Sequence, residues 1–127
     1  MPTLTTLVSF NGADGANPVS GLLLNPAGDL FGTTYGDDGA TSFGTVFELT
    51  KAEGGYSSEP ITLVSFDGSD GSAPLAGLIA DGVGDLFGTT SGGGTNLSGT
   101  VFEIAETSAD YANTPTTLAS FNSSNGY

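Results

Sequence analysis

Short acidic turns recur along the chain, and their side-chain oxygens could bind a calcium ion. The pattern Asx-x-x-Asx-Gly stands at residues 11–15, 67–71 and 122–126. Calcium takes about six to eight oxygen ligands, and this spacing does not match an EF-hand loop. Asx residues beside glycine also close tight turns by bonding to their own backbone, and the third copy has asparagine at both Asx positions. We therefore interpret these segments as turns, with a calcium site as the alternative at Asp14, Asp67 and Asp70.

Two further pairs of carboxylates stand at matching places, Asp29 with Asp85 and Glu48 with Glu103. A pair of carboxyl groups can carry out the acid–base chemistry of glycoside hydrolysis. A catalytic pair, however, is an asymmetric arrangement that occurs once, whereas these residues recur. The chain also has no His and no Cys, so it lacks the usual proton-transfer side chain and a thiol nucleophile. We predict that the protein is not an enzyme and that these acids belong to turns or solvated faces.

Several loop residues have a chemistry that suits sugars. Aromatic rings in loops present an apolar face on which a sugar can stack, and the candidates are Tyr35, Phe43, Tyr56 and Tyr111. Asn-x-Ser triplets are acceptors for N-glycosylation, and they occur at Asn96 and Asn122. Such triplets also arise by chance in a chain rich in Ser and Thr, so glycan attachment is the alternative to plain loop sequence.

The charge of the chain excludes some classes of partner. It has one Lys, no Arg and 14 acidic residues, giving a formal net charge of −13. Without a basic patch, nucleic acid and anionic membrane surfaces are poor partners. No apolar stretch approaches the roughly 20 residues of a membrane span, so we expect no direct membrane insertion. From the N-terminal residues we expect no signal peptide, since they lack both a basic region and an apolar region.

These residues are positioned by a repeat with a period of about 55 residues. Three motifs recur in the same order in the two units. The copies are Thr6–Phe10 with Thr62–Phe66 and Thr117–Phe121, Gly28–Thr34 with Gly84–Thr90, and Gly44–Leu49 with Gly99–Ile104. We divide the chain into an N-terminal edge strand (1–10), two repeat units (11–66 and 67–121) and the start of a truncated third (122–127).

Each unit has the pattern of four short strands separated by turns rich in glycine. In the first copy of this pattern we expect the edge strand at Thr5–Phe10, followed by strands at Ser20–Asn25, Asp29–Tyr35 and Gly44–Thr50. The 21 glycines argue against helix. We predict an all-β fold of two four-stranded antiparallel β-propeller-like blades plus an extra edge strand. A linear β-solenoid or a stack of small sheets is the alternative.

Phenylalanines recur on these strands, and we predict that they form the core between blades. They are Phe10, Phe31, Phe47, Phe66, Phe87, Phe102 and Phe121. A closed propeller needs about four to eight blades, so two blades would leave apolar faces exposed. There are also three copies of the Ser-Phe strand for two sets of the others, and an unpaired strand edge is a template for another chain. We therefore expect self-association or a place in a longer array.

The motifs resemble those of the Gloeo/Verruco tandem repeat of bacterial choice-of-anchor surface proteins. The resemblance is carried by Gly28–Thr34, Gly44–Leu49, Ser9–Phe10, Asn11–Gly15 and Pro18, most of which have second copies. It implies a secreted or cell-surface repeat protein, and it supplies no catalytic residues.

These observations favour a non-catalytic extracellular structural protein that assembles through strand and blade stacking into a filament or surface array. Its expected partners are copies of itself, with no cofactor apart from the calcium alternative. The second hypothesis is a carbohydrate-binding, lectin-like propeller assembled from several chains. The third is a glycosidase, which would require one pocket with unequal carboxylates.

Overall fold

The computed structural model describes residues 2–36, 42–108 and 110–126, and the regular structure there is all β, with no helix. Two four-stranded antiparallel sheets and a small hairpin account for it. In chain order the strands are β1 (Leu23–Leu24), β2 (Leu30–Thr34), β3 (Thr45–Leu49), β4 (Lys51–Ala52), β5 (Gly55–Tyr56), β6 (Ile61–Ser65), β7 (Ile79–Ala80), β8 (Leu86–Thr90), β9 (Thr100–Ile104) and β10 (Thr116–Ser120). The first sheet has the order β1-β2-β3-β6, and the second β7-β8-β9-β10.

Glycine at the centre of the Leu-Phe-Gly-Thr-Thr strand is required by the strand beside it. Gly32 pairs with Phe47 across the first sheet, and a Cβ on Gly32 would lie 2.7 Å from the Phe47 ring. Gly88 and Phe102 repeat this arrangement in the second sheet, with a corresponding distance of 2.6 Å. The missing side chain therefore lets each phenylalanine ring lie across the neighbouring strand.

The central strands agree with the sequence prediction and the outer ones differ. The strand expected at Ser20–Asn25 is reduced to β1, and the β4–β5 hairpin was not predicted. The edge strand expected at Thr5–Phe10 is wrong for the single chain, because residues 2–10 adopt no strand. Its two copies form β6 and β10 by pairing with β3 and β9. The N-terminal copy finds no such pairing in the described part of the chain.

The sheets share one core, which lies between them. Its fully buried side chains come from both repeats: Phe31, Val46, Leu63, Val64 and Phe66 from the first, and Leu78, Leu86, Phe102 and Ile104 from the second. At its centre the rings of Phe66 and Phe102 meet edge to face with centroids 5.1 Å apart, the geometry that aromatic pairs favour.

Candidate assembly interface

The packing of the second sheet on the first defines an interface that we call the seam. On the first sheet it covers Phe31 and Val46, which are 1% and 0% exposed. The ring of Tyr111 packs edge to face on Phe31 with centroids 5.6 Å apart. The Tyr111 hydroxyl also donates to the carbonyl of Gly84 at 3.4 Å. The seam therefore combines apolar burial with an anchored aromatic ring.

The N-terminal segment repeats this packing on the opposite side of the first sheet. Phe10 meets Phe47 with centroids 5.0 Å apart and an interplanar angle of 67°. The corresponding values for Phe66 and Phe102 are 5.1 Å and 68°. Residues 5–10 therefore lie against the first sheet as β6 lies against the second.

The loop after each of these segments is held in the same way. The Tyr35 amide donates to the carbonyl of Asn17 at 2.9 Å, and the Ser91 amide donates to that of Ala73 at 3.0 Å. Both acceptor residues have positive φ, 58° and 55°. The loop that follows residues 5–10 therefore has the same hydrogen bond and backbone conformation as the loop that connects β6 to the second sheet.

The seven repeated phenylalanines are not equally buried, and the differences mark the two ends of the molecule. Phe31, Phe47, Phe66 and Phe102 are at most 4% exposed. The other three, Phe10, Phe87 and Phe121, are only partly buried. Phe87 occupies the same repeat position as Phe31, but no third sheet covers it in the described structure. Of the four buried rings, Phe31, Phe66 and Phe102 belong to the cluster between the sheets, whereas Phe47 packs on Phe10 at the other side of the first sheet.

Two open faces follow from this pattern. The front face surrounds Phe10 and is a cleft of about 330 Å³ whose lining includes Val8, Leu22, Leu30 and Phe47. The back face is the outer side of β8 and β9 and includes Phe87, Thr89, Val101 and Glu103, which are partly or fully exposed. The first-sheet counterparts of the back face are all buried in the seam: Phe31, Thr33, Val46 and Glu48.

An acidic pocket of about 260 Å³ opens along the seam. Its charged lining residues are Asp29, Glu48, Glu106 and Asp110. Burial raises the pKa of Glu48 from 4.5 to about 7, with further contributions from the charges of Asp110 and Asp29. Burial, Glu106 and Glu48 raise the pKa of Tyr111 to about 12. The seam therefore carries an electrostatic cost at neutral pH.

This cost predicts a pH-dependent stability. Glu48 binds its proton more tightly folded than unfolded, so the free energy of unfolding falls as pH rises from about 4.5 to about 7 and recovers below that window. Glu48→Gln should therefore stabilise the protein by about 2–3 kcal/mol at pH 8 and leave it unchanged at pH 4. Urea unfolding at both pH values measures this difference. Glu103→Gln, on the partly exposed counterpart, is the matched control, and an equal gain there would contradict the explanation.

Asp29 and Asp85 have a structural role that fits their interpretation as turn residues. Asp29 Oδ1 accepts the amide of Lys51 at 2.8 Å, and Asp85 Oδ1 accepts that of Glu106 at 2.8 Å. Each carboxylate thereby holds the backbone just after the end of β3 or β9. Glu48 and Glu103 have unequal environments because the second sheet covers only Glu48.

The Asx turns form as turns. Asp67 Oδ1 accepts the amides of Ser69 and Asp70 at 2.9 and 3.1 Å, and Asp70 Oδ1 accepts that of Asp67 at 3.0 Å. The hydroxyl of Ser69 lowers the pKa of Asp67, while burial raises that of Asp70. Asp14 accepts the amide of Asn11 in the preceding turn. Among the described residues no group of three or more acidic side chains is arranged to hold a metal, and calcium binding stays a prediction.

The candidate sugar residues are mostly engaged in contacts within the protein. The Tyr56 hydroxyl donates to the carbonyl of Gly28 at 2.8 Å, and Tyr35 is partly buried. Phe43 is 37% exposed, and its ring lies beside Gly68. Of the two sequon residues, Asn96 is exposed. Asn122 Oδ1 accepts the amide of Ser124.

Lys51 is a residue whose importance the sequence reasoning missed. Its Nζ lies 4.7 Å from the centroid of the Tyr56 ring, a distance typical of a cation–π contact. The counterpart of Lys51 in the second repeat is Glu106, and the counterpart of Tyr56 is Tyr111. A signal was present, because the one cation of the chain stands where the other repeat has an acid.

Comparison with known proteins identifies the repeat. A family model described as the Gloeobacter/Verrucomicrobia repeat matches residues 1–127. No curated protein matches the chain, and no solved structure does. None of the described residues forms a helix long and apolar enough to cross a membrane.

Proposed function

Because the chain belongs to the Gloeobacter/Verrucomicrobia repeat family, we propose that it is a non-catalytic structural protein whose copies join end to end. The product is a filament or array outside the cell or on its surface. In it the sheets of successive copies stack as propeller-like blades. The front face of one copy packs on the back face of the next, in the manner of the seam. Such contacts use different surfaces on the two partners, so they continue indefinitely unless a rotation closes a ring.

The observation that carries this proposal is the position of the N-terminal segment. Phe10 packs on Phe47 as Phe66 packs on Phe102, with centroid distances of 5.0 and 5.1 Å. Residues 5–10 therefore lie where the last strand of a preceding sheet would lie. A second copy supplies such a sheet, and its β9, which pairs with β10 within the single chain, would pair with this strand instead.

In that arrangement the N-terminal strand takes the place of β10. Residues 5–10 and 116–121 differ at a single position, where Val8 corresponds to Ala119. The β6 residue at this position, Val64, is 1% exposed, so the site accepts valine. Exchanging one strand for a near-identical one costs little. Ala119 is exposed in β10 of the single chain, so the larger Val8 would add about 1–2 kcal/mol of apolar burial once a stacked sheet covers it as the second sheet covers Val64.

Disulfide trapping tests the exchange, since the natural chain has no cysteine. In the second sheet Ala119 pairs with Val101, so Val8 of another copy should take that place. The full chain carrying Val8→Cys and Val101→Cys should give a ladder of covalent oligomers on a non-reducing gel. The matched control, Ala119→Cys with Val101→Cys, should form fewer internal disulfides as the protein concentration rises. A closed internal disulfide at every concentration, with no ladder from the first pair, would contradict strand exchange.

Assembly itself is tested with the unmodified chain. Light scattering should show growth with protein concentration, and negative-stain microscopy should show filaments or sheets. A monomer that persists at concentrations of order tens of micromolar would contradict the proposed function as a whole.

The alternatives receive less support from the side-chain contacts. Tyr56 and Tyr111 both use their hydroxyls within the protein, which weakens the case for a lectin-like surface. The pocket at Glu48 does hold a carboxylate unlike its counterpart, as a glycosidase would require. The inequality is accounted for by the position of Glu48 in the seam, because stacking would cover Glu103 as the second sheet covers Glu48.

A further inference from the structure

The acidic pocket of the seam has a counterpart on the open faces, with a different set of charges. On the back face, Asp85 and Glu103 hold the repeat positions that Asp29 and Glu48 hold in the seam. On the opposite side of a stacked pair, Lys51 holds the position of Glu106, and Gly55 that of Asp110. The backbone positions correspond as well, because Asp29 and Asp85 accept the amides of Lys51 and Glu106 at the same distance of 2.8 Å.

From this correspondence we propose that Lys51 of one copy pairs with Glu103 of the next, and that this contact selects the head-to-tail arrangement. The partner is a second copy of this chain. The inference rests on the proposed end-to-end assembly and adds the residue that gives it polarity.

The difference in charge favours the contact between copies over the one within the chain. Within the chain, Glu48 faces the carboxylates of Asp110 and Asp29, and Asp110 is the stronger of the two charge contributions to its raised pKa. In the contact between copies, glycine replaces Asp110, and the one cation of the chain replaces Glu106. Glu103 would therefore face a glycine and a lysine at the positions where the pocket around Glu48 has Asp110 and Glu106.

Two further acids would lie near this contact, and their repulsion opposes the attraction between Lys51 and Glu103. Asp81 takes the place of Asn25, and Glu53 that of Ser108, so acids still outnumber the lysine. Lys51 is already held over the Tyr56 ring at 4.7 Å. Because the counterpart of that ring, Tyr111, packs on Phe31 in the seam, Tyr56 would pack on Phe87 of the next copy. The ring and the cation would thus enter the contact together.

A charge exchange tests the pairing in the full chain. Lys51→Glu should raise the concentration at which light scattering begins by at least about ten-fold, because two acids then face each other in a largely desolvated contact. Glu103→Lys should also weaken assembly, although it lowers the net negative charge that repels one copy from another. The double variant carrying both changes should return to within about three-fold of the natural protein.

The outcomes separate this inference from the proposed function. If the natural chain assembles and Lys51→Glu assembles equally well, the pairing is overturned and end-to-end assembly stands. If Glu103→Lys assembles better than the natural chain, net charge controls association and the pairing is again overturned. If the natural chain stays monomeric, the proposed function fails first. Circular dichroism of each variant identifies loss of folding. If Lys51→Glu does not fold, Lys51→Gln replaces it, and it should also raise the concentration at which light scattering begins.

Discussion

Replacing Phe31 with alanine should lower the free energy of unfolding by about 3–5 kcal/mol, whereas the same change at Phe87 should cost about 1–2 kcal/mol. The two residues occupy one position of the repeat and lie on strands of identical sequence. They differ in cover, because Phe31 is 1% exposed beneath the second sheet and Phe87 is partly exposed. Urea unfolding at a concentration where the chain is monomeric measures both values.

The comparison isolates the packing of one sheet on the other. Intrinsic strand propensity and the flanking residues of the strand are the same in the two variants, and the cross-strand partners differ only in Leu23 against Ile79, so these contributions largely cancel. Equal losses at the two positions would mean that the second sheet does not cover Phe31 in solution. Phe87→Ala has a second expected effect, since it removes apolar surface from the back face and should raise the concentration needed for assembly.

The second large effect is expected at Gly44. A Cβ there would lie 2.5 Å from the carbonyl oxygen of Thr34 and 2.6 Å from Pro74 Cδ. The first contact is with backbone and the second crosses the seam, so neither can relax cheaply. The residue also has φ of 98°, which disfavours any side chain. Gly44→Ala should therefore cost at least about 3 kcal/mol.

Gly54→Ala is the matched control for this prediction. Gly54 has a similar φ of 86°, but a Cβ at that position would meet nothing within 4 Å. The change should cost only the backbone term of about 1–2 kcal/mol. Thermal or urea unfolding of the pair separates the two contributions, and similar losses would show that close packing at Gly44 is unimportant.

The long strands of this protein could be predicted from sequence because their pattern and their neighbours agree. Thr45–Leu49 contains two β-branched residues and a phenylalanine and pairs on both sides, so local preference and tertiary context point the same way. Leu23–Leu24 pairs on one side only, and its predicted six residues shrank to two. Pattern alone does not reveal how far an edge strand is paired.

The N-terminal segment shows a different limit. Residues 5–10 have nearly the sequence of β10 yet form no strand. A strand forms only where a neighbouring strand is available to pair with it, and the sequence of the segment does not show whether one is. Glu48 and Glu103 show the same for the candidate site. Their local motifs match, and only the arrangement of the sheets makes one buried and the other partly exposed. Repeated sequence motifs predict the strands of each unit well, but they do not show which unit lies at the end of the stack of sheets.

The single core between the sheets also sets how the molecule should unfold. Phe66 and Leu63 of the first repeat and Phe102 and Ile104 of the second belong to one cluster. Unfolding of either sheet would expose the members of this cluster that the other sheet contributes. We therefore expect the two sheets to unfold together in one cooperative transition, although the sequence divides into two repeats.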